Sequence, residues 1–164
     1  MKHLFLLRHA KSSWDDLDLS DFDRPLNNRG EKAAPRIGKE MKKRAVTPDL
    51  ILCSPSRRTK ETLNLVVESA ELVSAPVSFC DEIYEASVKD LLRVLHKQNK
   101  SHSSILMIGH NPGMESLLLD LTGEFEHFPT AALASIDIEV DSWKDLSRGV
   151  GQLKWILRPK ELER

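Results

Sequence analysis

Three apolar runs in this chain stop abruptly at polar clusters. "LFLL" gives way to Arg8 and His9, "LILC" to Ser54 and the pair Arg57 and Arg58, and "ILMIG" to His110. Each run is short for a helix and lacks the alternation of a half-exposed strand. Each therefore reads as a strand buried on both faces, over residues 2–7, 50–54 and 104–110. Such strands need helices above and below, and helical spacing follows. Ala33, Ala34, Ile37 and Met41 share one face of a helix expected over 31–44. Thr59, Thr62, Leu63, Val66 and Val67 form a stripe over 56–73, and Val88, Leu91, Leu92 and Leu95 another over 87–97. Met114, Leu117, Leu118 and Leu121 repeat the pattern after the third run. Nearer the end, "ALASIDIEV" and "GQLKWILRP" alternate in the manner of sheet strands.

Strands alternating with helices predict an α/β fold. The expectation is a three-layer α/β/α sandwich around a mostly parallel mixed sheet, in one domain over residues 1–164. In such sheets ligands sit beyond the carboxyl ends of the strands. The three polar clusters should therefore meet at one edge.

That meeting would bring together Arg8, His9, His110 and one of Arg57 and Arg58. Only one of the two arginines should face inward, because neighbouring helix positions point about 100° apart. An arginine presents a fork of donors that matches phosphate or carboxylate oxygens. A neutral imidazole can attack phosphorus and split one hard displacement into two easier ones. The cluster reads as a phosphoryl site. No HxH or HExxH spacing occurs, and two flanking arginines would repel a divalent cation, so neither metal nor cofactor is expected.

Composition narrows the partners. Charged residues make up 30% of the chain at a formal net charge of -1, which gives no reason to expect nucleic acid. No run approaches the ~20 apolar residues of a membrane-spanning helix, and the start shows no export-signal pattern. Cys53 and Cys80 form no CxxC pair and read as free thiols, which fits a cytoplasmic location.

Taken in order, "RHAK", "SPSRRTKET" and "GHNPG" resemble the histidine phosphatase superfamily, which includes the phosphoglycerate mutases. That family opens with R-H-G at the first strand end and continues with S-x-x-x-R-x-x-x-T. A second histidine follows in a G-H. Ser54, Arg58 and Thr62 match the middle motif, which selects Arg58 over Arg57. The short chain, Ala10 in place of the glycine, "DFDRPLNNRG" and "GHNPG" are most similar to the SixA-type phosphohistidine phosphatases.

The resemblance implies a phosphoglycerate mutase-like fold and a metal-independent phosphatase. His9 would be the nucleophile of a phosphohistidine enzyme intermediate, and Arg8, Arg58 and His110 the phosphate clamp. The substrate would be phosphohistidine in a phosphorylated protein. The alternatives are small phosphorylated substrates hydrolysed as phosphomonoesters, or a non-catalytic phosphate-binding module. Larger relatives supply an acid from E-x-x-[FY]-G. Here Asp81 fits by its spacing from Tyr84, and Glu82 by residue type. Arg24 and Lys11 would touch substrate at the entrance. Trp14 reads as a packing residue, and the aspartates from Asp15 to Asp23 as a solvated loop that would favour basic surface around a target histidine. Ala10 must keep φ below zero or accept strain.

Overall fold

The structure, a computed structural model, describes residues 1–162. Six strands form one sheet: β1 (Lys2–Arg8), β2 (Leu50–Cys53), β3 (Val77–Phe79), β4 (Ser104–Gly109), β5 (Leu133–Ile138) and β6 (Gly151–Leu157). Their order is β3-β2-β4-β1-β5-β6. β3, β2, β4 and β1 run parallel, β5 runs antiparallel to β1, and β6 antiparallel to β5. The sheet is thus mixed and mostly parallel, as expected. β1 and β4 are adjacent at its centre, with Arg8 opposite Gly109.

Alternate residues of the central strands feed two cores, which is why those strands read as unbroken apolar runs. Leu4 and Leu6 of β1 pack with α3 (Val88–His96) and α4 (Gly113–Thr122). Phe5 and Leu7 pack on the opposite face with α1 (Asn28–Lys43) and α2 (Arg57–Ser69). A short α5 (Pro159–Leu162) ends the described chain. Helices thus cover both sheet faces, giving the expected three-layer α/β/α sandwich.

Local chemistry sets the boundaries. α1 begins three residues before the expected start because Asn27 caps it, its side chain accepting from the Gly30 amide at 2.9 Å. α2 begins after Ser56, whose side chain accepts from Thr59 N. It stops at Ser69, short of the expected 73, and Glu71 turns left-handed at φ 57°. Ser87 and Asp90 close a capping box at the start of α3. Gly30 has a steric reason: a Cβ there would lie 2.2 Å from the Lys11 carbonyl oxygen. The first turn of α1 can therefore lie directly on the segment that leaves β1.

The helices following β1 and β4 depart to opposite faces. Their connections separate and leave a crevice at the carboxyl ends of the two central strands. His9 and His110 stand at its base.

Candidate active site

Arg8 is the last residue of β1, and His9 follows it. His9 is 6% exposed, and its Nδ1 lies 2.7 Å from the Ala10 carbonyl oxygen. A carbonyl only accepts, so Nδ1 carries the proton and Nε2 keeps its lone pair. Burial pushes the His9 pKa down to about 3; the Ala10 hydrogen bond opposes the shift, and His110, Arg58 and Arg8 add to it. The ring is neutral throughout the physiological range, with one nitrogen held and the other free to react.

The neighbouring residue braces this arrangement. The Ala10 amide donates to Thr62 Oγ1 at 3.0 Å, and the Thr62 hydroxyl donates to the Arg58 carbonyl at 2.8 Å. Ala10 does not adopt a positive φ. Among the described residues, the non-glycine positions that do are Ala45, Glu71, Glu85 and Ala131. The chain thus carries alanine where the family has glycine without left-handed strain. Thr62→Val should leave the buried Ala10 amide without an acceptor and cost about 1–3 kcal/mol. Denaturant unfolding measures this, and a loss below about 0.5 kcal/mol would assign the tether no weight.

Arg58 enters from the second position of α2. Its guanidinium donates to the Asp21 carbonyl oxygen at 2.7 Å and to Asp21 Oδ2 at 3.0 Å. It also lies 3.3 Å from His110 Nδ1. Since arginine only donates, His110 Nδ1 accepts; the ring proton sits on Nε2 and is donated to Ser54 Oγ at 2.8 Å. Burial lowers the His110 pKa to about 4, with Arg58 and Arg8 adding to the effect and Asp21 opposing it. The His9 and His110 rings lie 5.2 Å apart, centroid to centroid.

Arg8 donates through Nη1 to the Phe128 carbonyl at 3.3 Å. Its Nε is buried and has no acceptor among the described residues. Such orphaned donors are costly in a folded interior. Asn111 Nδ2 donates to the same carbonyl at 2.9 Å, and Glu115 Oε2 accepts from Phe128 N at 3.2 Å. These bonds fix the strand end of β4 against the loop entering β5.

The structure thus gathers Arg8, His9, Arg58 and His110 from two strand ends and a helix start. Arg57 points away: it is exposed and pairs with Glu61 at 3.1 Å. The other expected residues lie elsewhere. Asp81 and Glu82 begin a short 3-10 turn and are exposed, and neither carboxylate bonds to a site residue among the described residues. Arg24 is buried, but its donors are spent on its own loop, on Ser13 O, Asp21 Oδ1 and Ser12 Oγ. Trp14 is 67% exposed, not packed in a core; the Arg24 guanidinium carbon lies 3.2 Å from its ring centre. Lys11 is exposed and opens onto a cavity beside the site.

The carboxylate that does reach the site is Asp21, one of five aspartates read as a uniform solvated loop. Its Oδ2 accepts from Arg58 and, at 2.5 Å, from the Tyr84 hydroxyl. Burial alone would raise its pKa, but the bonds from Tyr84, Arg58 and Arg24 outweigh burial and hold it down at about 2. The Tyr84 ring meets His110 edge-on at 5.4 Å and Phe22 at 5.2 Å. A chain of rings from Phe22 through Tyr84 to His110 and His9 lines this side of the crevice.

A model of the histidine phosphatase superfamily (branch 1) matches residues 4–93, more than half of the chain. The chain belongs to the histidine phosphatase superfamily. An uncharacterized chloroplastic protein of Arabidopsis thaliana is 34% identical over 164 residues, covering 95% of this chain and 75% of its own. Among solved structures, the protein assigned as phosphohistidine phosphatase SixA from Agrobacterium tumefaciens superposes with a TM-score of 0.83 at 30% identity, covering 96% of this chain and 98% of that one. The protein histidine phosphatase SixA complexed with tungstate gives 0.84 at 27% identity, covering 98% and 99%. Superfamily membership and the SixA neighbours support phosphatase activity. No helix among the described residues is long and apolar enough to cross a membrane.

Proposed function

We propose that this protein is a metal-independent phosphatase that removes phosphoryl groups from phosphohistidine in a protein, through a phosphohistidine on His9. The observation that carries the reading is the state of His9. Its ring is neutral, tethered through Nδ1 to Ala10 and ringed by Arg8, Arg58 and His110. That is the state a nucleophile of this kind requires.

In the first step His9 Nε2 attacks phosphorus in line. The substrate imidazole, protonated by solvent on its distal nitrogen, leaves as the neutral ring with the P–N electron pair as the Nε2–P bond forms. Arg8 and Arg58 hold the non-bridging oxygens, and the orphaned Arg8 Nε–H gains an acceptor. Donors preset in this way stabilise the charge that builds in the transition state. In this structure His110 accepts from Arg58 and is neutral. An incoming dianion favours the protonated ring, so His110 would gain its second proton as the phosphoryl group arrives. Water then breaks the Nε2–P bond and releases inorganic phosphate.

The substrate class follows from the leaving group. An alkoxide departs only if strongly protonated, whereas an imidazole, with a reference pKa of ~6.5, needs little help. Asp21 is held ionised at about 2 and the Tyr84 hydroxyl is raised to about 12, so neither is tuned to donate near neutrality. Asp81 and Glu82 face solvent. A site without a tuned acid favours a phosphoramidate over a phosphomonoester, and this sets the first alternative below the proposal.

The test is a substrate panel of phosphohistidine, phosphoramidate and sugar phosphates at several pH values. The P–N substrates should be preferred by at least ~100-fold in kcat/KM, about 3 kcal/mol of transition-state binding. Equal rates on sugar phosphates would overturn the substrate reading, and tight phosphate binding without turnover would make the protein a binding module. The acid limb set by the enzyme should also fall below pH ~5 instead of near 6.5, because His9 and His110 are neutral down to about 3 and about 4. The same shifts predict acid sensitivity of the fold. The unfolded chain takes up these protons below pH ~6.5 and the folded chain does not, so stability declines as pH falls from there toward the folded values.

A further inference from the structure

A cavity of about 530 Å³ opens on the same edge of the sheet, on the side of α1 and α5. Its wall is shared with the site. Pro129 and Thr130 line the cavity, while the flanking Phe128 carbonyl accepts from Arg8 and the Ala131 amide donates to the His9 carbonyl at 3.0 Å. Lys11, two residues beyond His9, lines it too.

The lining is strongly cationic. Arg29, Lys32 and Arg36 recur along one face of α1, Lys11 stands beside them, and Arg158 and Lys160 face them from the end of β6 and from α5. The carboxylate in the lining, Glu161, pairs with Arg158 at 3.3 Å. The side chains of Lys11, Arg29, Lys32 and Lys160 form no hydrogen bond or ion pair with any described residue. A formal charge of -1 for the whole chain makes this concentration of unpaired cations at one place informative. The proposed catalysis does not use them.

We infer that this cavity docks an acidic protein surface lying next to the phosphohistidine of the substrate. The inference rests on the proposed function and adds the charge of the partner. Charge complementarity and exposure choose the occupant. Lys11, Arg29, Lys32 and Lys160 are exposed on long flexible stems, drawn from three separate segments. A small polyanion is held tightly by donors that are buried and fixed in place. Exposed cations spread around a hollow instead attract and orient a carboxylate-bearing surface, and they act mainly on the rate of encounter. The acidic loop approaches the site from the α2 side, through Asp21. Asp15 of the same loop lies near Arg29 at the rim, so the basic preference expected from the loop belongs to the Asp21 side, while the cavity beside α1 and α5 selects for carboxylates.

The test uses phosphohistidine peptides with flanks of Glu and Asp, of Ser, or of Lys, compared in the wild type and in the Lys32→Glu/Lys160→Glu variant. At low salt the acidic peptide should lead by at least tenfold in kcat/KM, and the double variant should erase that lead while hydrolysing phosphoramidate at the wild-type rate. About 0.5 M salt should erase it as well, by screening. Equal loss on phosphoramidate, or no acidic preference in the wild type, overturns the inference. Fluorescence anisotropy with the acidic peptide carrying unmodified histidine separates the two readings. Binding that the double variant loses, in a protein that hydrolyses no P–N bond, sinks the proposed function and keeps the docking surface. Failure of that peptide to bind, with ATP binding lost in the double variant, assigns the cavity to a small polyanion and overturns the inference.

Discussion

His9→Ala is expected to reduce turnover by at least ~10,000-fold and to abolish the acid-labile phosphoenzyme in the same variant. The size follows from the proposed chemistry. Without an atom to accept the phosphoryl group, the two-step route has no intermediate, and the remaining cations can only bind. The fold should survive. Among the described residues His9 makes a single side-chain hydrogen bond, to the Ala10 carbonyl. Its net worth is about 1 kcal/mol, a shift of roughly 2–4 °C in Tm for a domain of this size. Rapid quench with labelled substrate, followed by alkaline and acid treatment, detects the intermediate, and thermal unfolding controls for structure. A folded variant that turns over at the wild-type rate would remove covalent catalysis from the proposal.

The second large effect separates two adjacent arginines. Arg58→Ala should cost about 100- to 1,000-fold in kcat, the range for losing one preset donor to transition-state charge. Arg57→Ala should stay within about threefold, since Arg57 is exposed and its partner is Glu61 one helical turn away. Arg58→Ala also leaves Asp21 without its main cation, so Arg58→Lys serves as control. It restores the charge but not the fork, and should remain well below the wild type. The opposite ranking of Arg57 and Arg58 would place the wrong face of α2 in the crevice.

What could be read from the sequence, and what could not, divides along physical lines. β1, β2 and β4 were legible because burial on both faces leaves continuous apolar runs, and parallel order then forces their polar ends to one edge. Burial also explains why the helix stripes were legible. Choosing Arg58 over Arg57 needed the motif that includes Ser54 and Thr62, and the structure gives both a contact. Ser54 accepts from His110, and Thr62 tethers Ala10.

Asp21 was not legible. Nothing local distinguishes it from Asp15, Asp16, Asp18 or Asp23, and its partners lie 37 and 63 residues away in Arg58 and Tyr84. Spacing from Tyr84 pointed instead to Asp81, but the 3-10 turn that begins there presents Asp81 and Glu82 to solvent while Ile83 is buried. Arg24, expected at the site entrance, is buried and bonds to Ser13, Asp21 and Ser12, partners that its place in the loop did not reveal. The cavity beside α1 was hidden because its cations come from positions 11, 29–36 and 158–160, which only the folded chain brings together.

The hold of Asp21 on Arg58 bears on what happens after hydrolysis. The fork that would grip a phosphoryl group is already engaged by a carboxylate that Tyr84 and Arg24 keep in place. An arriving substrate must share or displace that tenant, which weakens its grip at the outset. Under the proposed function a departing inorganic ion would meet the same rival, and the loop would give the protein a built-in means of clearing its own product.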